Sequence, residues 1–169
     1  MGCLGVHFAI TPEQAKRFRE AEGNDKRLEE LPEETEERWD KEHLQETDKA
    51  WDAIHRCLTD DFTPGGRLDP ESGLYPLNCC ILGGEQLYGG ESYHMVLVNA
   101  ADVPAVAQAL VPIGKAWVRK KFFALDPDLC LYPINEDEFE YTWYWFKKLR
   151  GLFAKAAAEG RAVLFTASL

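Results

Sequence analysis

The sequence predicts an α+β fold: a small mixed or antiparallel sheet that includes both terminal strands, covered by about five to six helices. Three observations lead there. Apolar, strand-forming stretches open and close the chain, over residues 3–10 and 161–168. A third such run, Tyr93 to Val98, stands alone in the middle. Everything between them is either helically periodic or rich in turn residues. With 169 residues, 46% hydrophobic and 12% aromatic, the chain has material for one core, so a single domain over 1–169 is expected.

Taken in order, the first strand ends at Thr11-Pro12. There Thr is an N-cap and Pro the first helical residue of a helix to about Ala21. Gly23-Asn24 ends that helix. A charged helical piece follows to Leu31, and Pro32 with Glu33-Glu34 is a candidate start for another. Residues 39–46 are polar and read either as the end of a helix or as a short extended link. Thr47 or Asp48 then caps a helix to about Leu58, with Thr47, Trp51, Ile54 and Leu58 on one apolar arc at about 100° per residue. Residues 59–75 carry Pro64-Gly65-Gly66, Asp69-Pro70 and Ser72-Gly73, and form a long connection.

Pro76 to Leu82 predicts one or two buried helical turns closed by Gly83-Gly84. After the Tyr93–Val98 strand, Asn99 or Asp102 starts a helix with Val103, Val106 and Leu110 on one face. Lys115 to Leu125 is helical again, and Asp126-Pro127-Asp128 and Tyr132-Pro133 mark a link. The longest helix runs from about Asn135 to Glu159, with Phe139, Trp143, Phe146 and Phe153 at helical spacing and Gly160 as its stop. Tyr144 and Trp145 exceed what one buried stripe needs, so a homodimer through this helix is a candidate arrangement.

Charge and cysteine usage exclude several function classes. Residues 20–48 hold thirteen acids against four bases, −9 of the net −10. A nucleic-acid binder needs clustered cations, so nucleic acid is not expected as a partner, whereas an acidic surface suits a basic protein. Five cysteines, without a Cys-x-x-Cys spacing, read as reduced thiols, several of them small buried hydrophobes. No apolar run reaches the roughly 20 residues that span a bilayer. The N-terminus lacks a basic signal-peptide region, and Val6 stands where myristoylation wants Ser or Thr. A cytoplasmic protein that does not engage membranes is the expectation.

The chemistry worth weighing lies on the 48–58 helix. Asp48, Asp52 and His55 are the candidate catalytic residues, two carboxylates able to orient an imidazole along the flank of the apolar arc. Cys57 lies roughly 160° around the helix from His55, so the two form no nucleophile–base pair. The structural alternative has Asp48 capping the helix, Trp51 anchoring it and His55 bonding a buried carbonyl. Trp51, Gly83, Gly84 and Tyr88 are candidate binding residues, although the glycines equally serve close backbone approach. No metal is expected, since His7, His43, His55 and His94 show no ligand spacing, and no cofactor motif is present.

Asp48-Lys49-Ala50-Trp51-Asp52-Ala53-Ile54-His55 closely resembles the helix signature of the YfbM-like family, small bacterial proteins of unknown function. Pro76-Leu77-Asn78 followed by Ile81-Leu82-Gly83-Gly84 is similar to a second block of that family, and Asn99-Ala100-Ala101-Asp102-Val103 also fits. So does the close, Ala156-Ala157-Ala158-Glu159-Gly160-Arg161-Ala162-Val163. Tyr88-Gly89-Gly90 represents the family's usual tyrosine turn, Tyr93-His94 is less typical of it, and residues 20–46 look like a variable region. The resemblance implies an α+β fold and a bacterial, cytoplasmic setting, and it implies no activity. The expectation is therefore a non-enzymatic binding protein with an acidic surface. The alternative is a hydrolase or transferase using an Asp48/Asp52/His55 cleft.

Overall fold

The computed structural model describes residues 4–37, 40–65 and 68–169. The Cys3 start of the first strand, Trp39 and the Gly66 of the Pro64-Gly65-Gly66 turn lie outside the described residues. The elements are β1 (Gly5–Ile10), α1 (Pro12–Glu20), α2 (Asp25–Glu37), β2 (Leu44–Asp48), α3 (Ala50–Thr59), β3 (Glu85–Gln86), β4 (Tyr93–Val98), α4 (Val103–Leu110), α5 (Lys115–Phe122), α6 (Glu136–Ala158) and β5 (Ala162–Ser168). Single turns of 3-10 helix stand at Lys41–His43 and Leu77–Cys80.

One antiparallel sheet has the order β2-β1-β5-β4-β3. The strands from the two ends, β1 and β5, pair along their length at its centre, from Gly5 opposite Ala167 to Ile10 opposite Ala162. Side chains alternate across this sheet and create two cores. Phe8, Ile10, Met95, Leu97 and Leu164 meet Phe18 of α1 and Leu28 and Leu31 of α2 on one face. Ala9, Val96, Val98, Val163 and Phe165 meet α3 to α6 on the other. The expected α+β fold is observed, with both faces covered.

Local signals place most boundaries. Thr11 Oγ1 accepts the Gln14 amide at 3.3 Å while Gln14 Oε1 accepts the Thr11 amide at 2.8 Å, a reciprocal cap. Asn135 Oδ1 accepts the Glu138 amide at 2.9 Å and opens α6, whose first turn holds Glu136, Asp137 and Glu138. Gly160, at φ 66°, ends it.

Three expectations are corrected. α2 is one helix through residue 32 rather than two pieces. The polar segment before α3 is a strand, β2, paired with β1. Thr47 and Asp48 belong to that strand and do not cap α3. The helix starts at Ala50 with Lys49 in the cap position and no side-chain cap bond. The pairing wins because Thr47 Oγ1 donates instead to the Gly5 carbonyl at 3.2 Å. Asp48 then takes φ 48°, a left-handed turn between strand and helix that costs an L-residue about 1 kcal/mol.

The α3 face of the sheet is built around two rings. His7 is fully buried in β1, with Nε2 hydrogen-bonded to the Cys80 carbonyl at 3.0 Å and its ring 4.6 Å from Phe165. Burial pushes its imidazole down to about 3, against a smaller opposing effect of that carbonyl. Trp51 lies against Phe165 and the edge of His94, at 5.7 and 5.6 Å between centroids.

The seat for Trp51 exists because residue 5 is glycine. A Cβ there would stand 2.6 Å from Thr47 Oγ1 and 2.7 Å from Trp51 Cδ1. Gly5→Ala is expected to lower stability by about 1–3 kcal/mol through overpacking. A lower urea midpoint with a perturbed near-UV tryptophan signal would report it, and an unchanged midpoint would contradict the seating.

Candidate functional site

Asp52 and His55 lie on α3 and Asp48 ends β2 just before it, and the structure sends the three catalytic candidates in different directions. Asp48 faces α6. The Tyr141 hydroxyl accepts the Lys49 amide at 3.2 Å and donates to the Asp48 carboxylate. Burial and that carboxylate push the Tyr141 hydroxyl up to about 12. The contact secures the left-handed turn between β2 and α3.

Asp52 faces the link after α5. Its Oδ1 accepts both Arg56 Nε and the Tyr132 hydroxyl, each at 2.8 Å. Arg56 is 1% exposed, the largest fully buried side chain of the chain's described residues. Burial works against its charge, but Asp52 outweighs that and holds it ionised. Arg56 Nη1 donates to the Asp61 carbonyl at 3.2 Å. The Tyr132 hydroxyl is driven upward by burial and by Asp52, so it keeps its proton. An aspartate occupied in this way by a guanidinium and a phenol is a structural acceptor, not a free base.

His55 faces the long 60–75 connection and is 1% exposed. Its Nε2 reaches the Asp69 carbonyl at 3.4 Å and lies 3.7 Å from Asp61 Oδ2. Burial lowers the imidazole's affinity for protons and Asp61 only partly offsets this, so the ring is neutral at pH 7. Its bond to Asp69 is therefore a neutral hydrogen bond. Trp51 and His55 are both covered, and the three candidates engage different partners. The Cys57 thiol, pushed up by burial, is an inert core group.

The residue that organises the connection is Asp61, 3% exposed. One carboxylate oxygen accepts the Thr63 amide at 2.8 Å and the Thr63 hydroxyl, and the other accepts the Asp69 amide at 2.8 Å. Burial opposes the charge, yet these donors and His55 hold the carboxyl below its usual range. Sequence reasoning passed over Asp61, Arg56 and Tyr132. For Asp61 a signal existed, because Asp-x-Thr before Pro-Gly is a local turn in which the carboxylate takes the second following amide.

The binding candidates also separate. Gly83 lies against Asn78, where a Cβ would be 2.6 Å from its Cγ, and Gly84 lies 2.7 Å by the same measure from the Leu97 carbonyl. Both allow the Leu77–Cys80 turn to close on β4, on the Trp51 side of the sheet. Tyr88 lies on the opposite face, donating to Glu29 Oε1 at 3.0 Å and bonded to Ser92 Oγ at 3.0 Å. Among the described residues, no group of three or more His, Cys, Asp and Glu side chains is arranged to hold a metal ion. None of their helices is long and apolar enough to cross a membrane.

Two predictions follow from this network. Asp61→Ala leaves the Thr63 and Asp69 amides, whose bonds are part-buried, without their acceptor and is expected to cost about 1–3 kcal/mol. Hydrogen exchange at the Asp69 amide should accelerate well beyond the global loss; unchanged protection there would contradict the role given to Asp61.

The second concerns acid. His7 and His55 bind protons less readily folded than unfolded, so the stability they contribute is complete above about pH 6.5 and declines as pH falls below it. Unfolding free energy measured from pH 7.5 to 5 should fall by up to about 1.4 kcal/mol per pH unit for each histidine. His55→Gln should remove one share of that slope.

Comparison with known proteins agrees with the geometry in offering a fold without a stated chemistry. The protein of unknown function YfbM from Escherichia coli has a similar fold, with TM-score 0.68 at 18% sequence identity, covering 97% of this chain and 99% of that one. No match is found among curated proteins. The family model for the Domain of unknown function (DUF1877) matches residues 1–166, and the chain belongs to that family.

Proposed function

We propose that this chain is a non-enzymatic binding protein of the bacterial cytoplasm, acting as one domain, whose acidic α1–α2 surface engages a basic partner. The observation that carries the reading is the disposition of charge. Glu13, Glu20, Glu22, Asp25, Glu29 and Glu30 are all exposed on one helical layer. The cations there are largely committed: Lys16 to Glu20, Arg19 to Glu85, and Arg27 to Glu30 and Glu34. Tyr88, bonded to Glu29, adds an aromatic edge to the same surface. The polar groups of α3, by contrast, are spent on internal bonds. Over residues 12–37 ten acids stand against five bases, and a surface with such a negative balance steers an oppositely charged partner into an association that weakens with salt.

The test is a paired charge reversal. Glu22→Lys/Asp25→Lys/Glu30→Lys should abolish salt-sensitive capture of cationic proteins from native extract, identified by mass spectrometry. An equal reversal at Asp137, Glu140 and Asp128 should leave it intact. Equal loss in both would reduce the effect to net charge. Recovery of no partner, together with a metabolite-induced thermal shift abolished by His55→Ala, would overturn the reading.

A further inference from the structure

β2 is an outer strand of the sheet, and both of its ends are fastened to α6. At the Asp48 end the Tyr141 hydroxyl takes the Lys49 amide. At the other end the 3-10 turn Lys41–His43 runs straight into β2 and lies against the close of α6. There the His43 side chain, 13% exposed, stands between two carboxylates. Its Nδ1 meets Asp40 Oδ2, and its Nε2 meets Glu159 Oε2 at 2.6 Å. Glu159 Oε2 also pairs with Arg161 Nε at 3.3 Å. Lys155 Nζ donates to the Glu42 carbonyl at 3.0 Å and lies 3.4 Å from Glu42 Oε2.

The charged surroundings of the ring come from every element packed on this turn. Asp40, Lys41 and Glu42 belong to the turn itself, Lys155 and Glu159 to the end of α6, and Arg161 to the link before β5. The acids of β2, Glu46 and Asp48, lie further along the strand, with Asp48 bonded to Tyr141. β1 brings His7 alone, and that ring is bonded to the Cys80 carbonyl.

A carboxylate only accepts, so both nitrogens of His43 have to donate. An imidazolium does so; a neutral ring carries one N–H and turns a lone pair on the second carboxylate. The bond to His43, with its charge adding, holds the Asp40 and Glu159 carboxyls below their usual range, so both acceptors stay ionised.

We infer that Asp40, His43 and Glu159 form a proton-operated clasp between the edge of the sheet and the end of α6. Protonated, the ring bridges the two carboxylates and fixes the entry to β2. When the ring gives up its proton one bond is lost. Glu159 keeps Arg161, so the turn lets go and the Leu44 end of β2 loosens from Phe8. A loosened outer strand frees backbone groups to which another strand can pair. The clasp holds on the acid side of the imidazole's titration and releases as pH rises through it, opposite in sign to the buried His7 and His55.

Amide hydrogen exchange of the intact chain at pH 5.5 and 8.5, expressed as protection so that the intrinsic rate cancels, tests this. Protection over residues 41–45 should fall about fivefold from the lower to the higher pH, the scale of one charge-assisted bond discounted for solvent. Amides at the centre of β5 should hold or gain. His43→Ala should remove the fall. Asp40→Asn keeps the Oδ1 that accepts the Glu42 amide and adds an N–H that a neutral ring can accept, so its protection at pH 8.5 should exceed that of the unmodified protein. Asp40 is 54% exposed, so this variant tests the clasp even where His43→Ala disturbs folding.

Equal protection of residues 41–45 at the two pH values overturns the inference, as does a fall of the same size in His43→Ala. A parallel fall in β5 reduces the effect to global stability and overturns it as well. So does Asp40→Asn protection no higher than that of the unmodified protein at pH 8.5.

Discussion

A guanidinium removed from water has to be neutralised where it stands, and Arg56 sets that requirement at the centre of this protein's least regular region. A buried arginine without its counter-charges would cost several kcal/mol. Asp52 meets the charge one turn away on the same helix, the Asp61 carbonyl accepts from Nη1, and the Tyr132 hydroxyl donates to the same Asp52 oxygen, while Nη2 has no hydrogen-bond partner among the described residues. The two loops that supply these groups are far apart in sequence, so the Arg56–Asp52 pair fixes both. Asp61 then extends the order outward, gathering the amides of Thr63 and Asp69, while His55 bonds the Asp69 carbonyl. The described residues of this connection, which hold no regular helix or strand, are thereby given a defined backbone.

The same bonds account for the polar residues of a helix with such suggestive composition. An imidazole and two carboxylates near one another invite an acid–base reading, but chemistry needs at least one of them free to exchange a proton with a substrate. Here Asp52 is occupied by two donors, His55 is neutral and covered, and Asp48 is turned away towards Tyr141 at a strained junction. The polar face of α3 works as a fastening. What remains open to solvent lies elsewhere, in a carboxylate-rich layer on α1 and α2, across the sheet.

The sheet itself separates that layer from α3. Strict alternation in β1, β4 and β5 sends one set of side chains to α1 and α2 and the other to α3–α6. Neither half can be removed without exposing a core. The ends of the chain meet at the middle of the sheet, where β1 and β5 pair in full register, so the order of the whole depends on contacts between residues about as distant in sequence as the chain allows.

The strongly periodic elements were legible in the residues. β1, β4, β5, the Thr11 cap, the long aromatic helix and its Gly160 stop all follow from local chemistry, because the groups that satisfy them lie within a few residues. The Asp48-to-His55 signature and the blocks around it also sufficed to point to the family. The tertiary structure alone decided β2, whose polar residues become a strand only when β1 offers hydrogen bonds, and with it the fate of Thr47 and Asp48. It likewise decided Arg56. A helical arginine normally extends into water, and nothing local says that this one lies beneath two loops. Sequence determines what a residue can satisfy within its own turn of chain; where its partners lie dozens of residues away, burial and pairing determine the outcome.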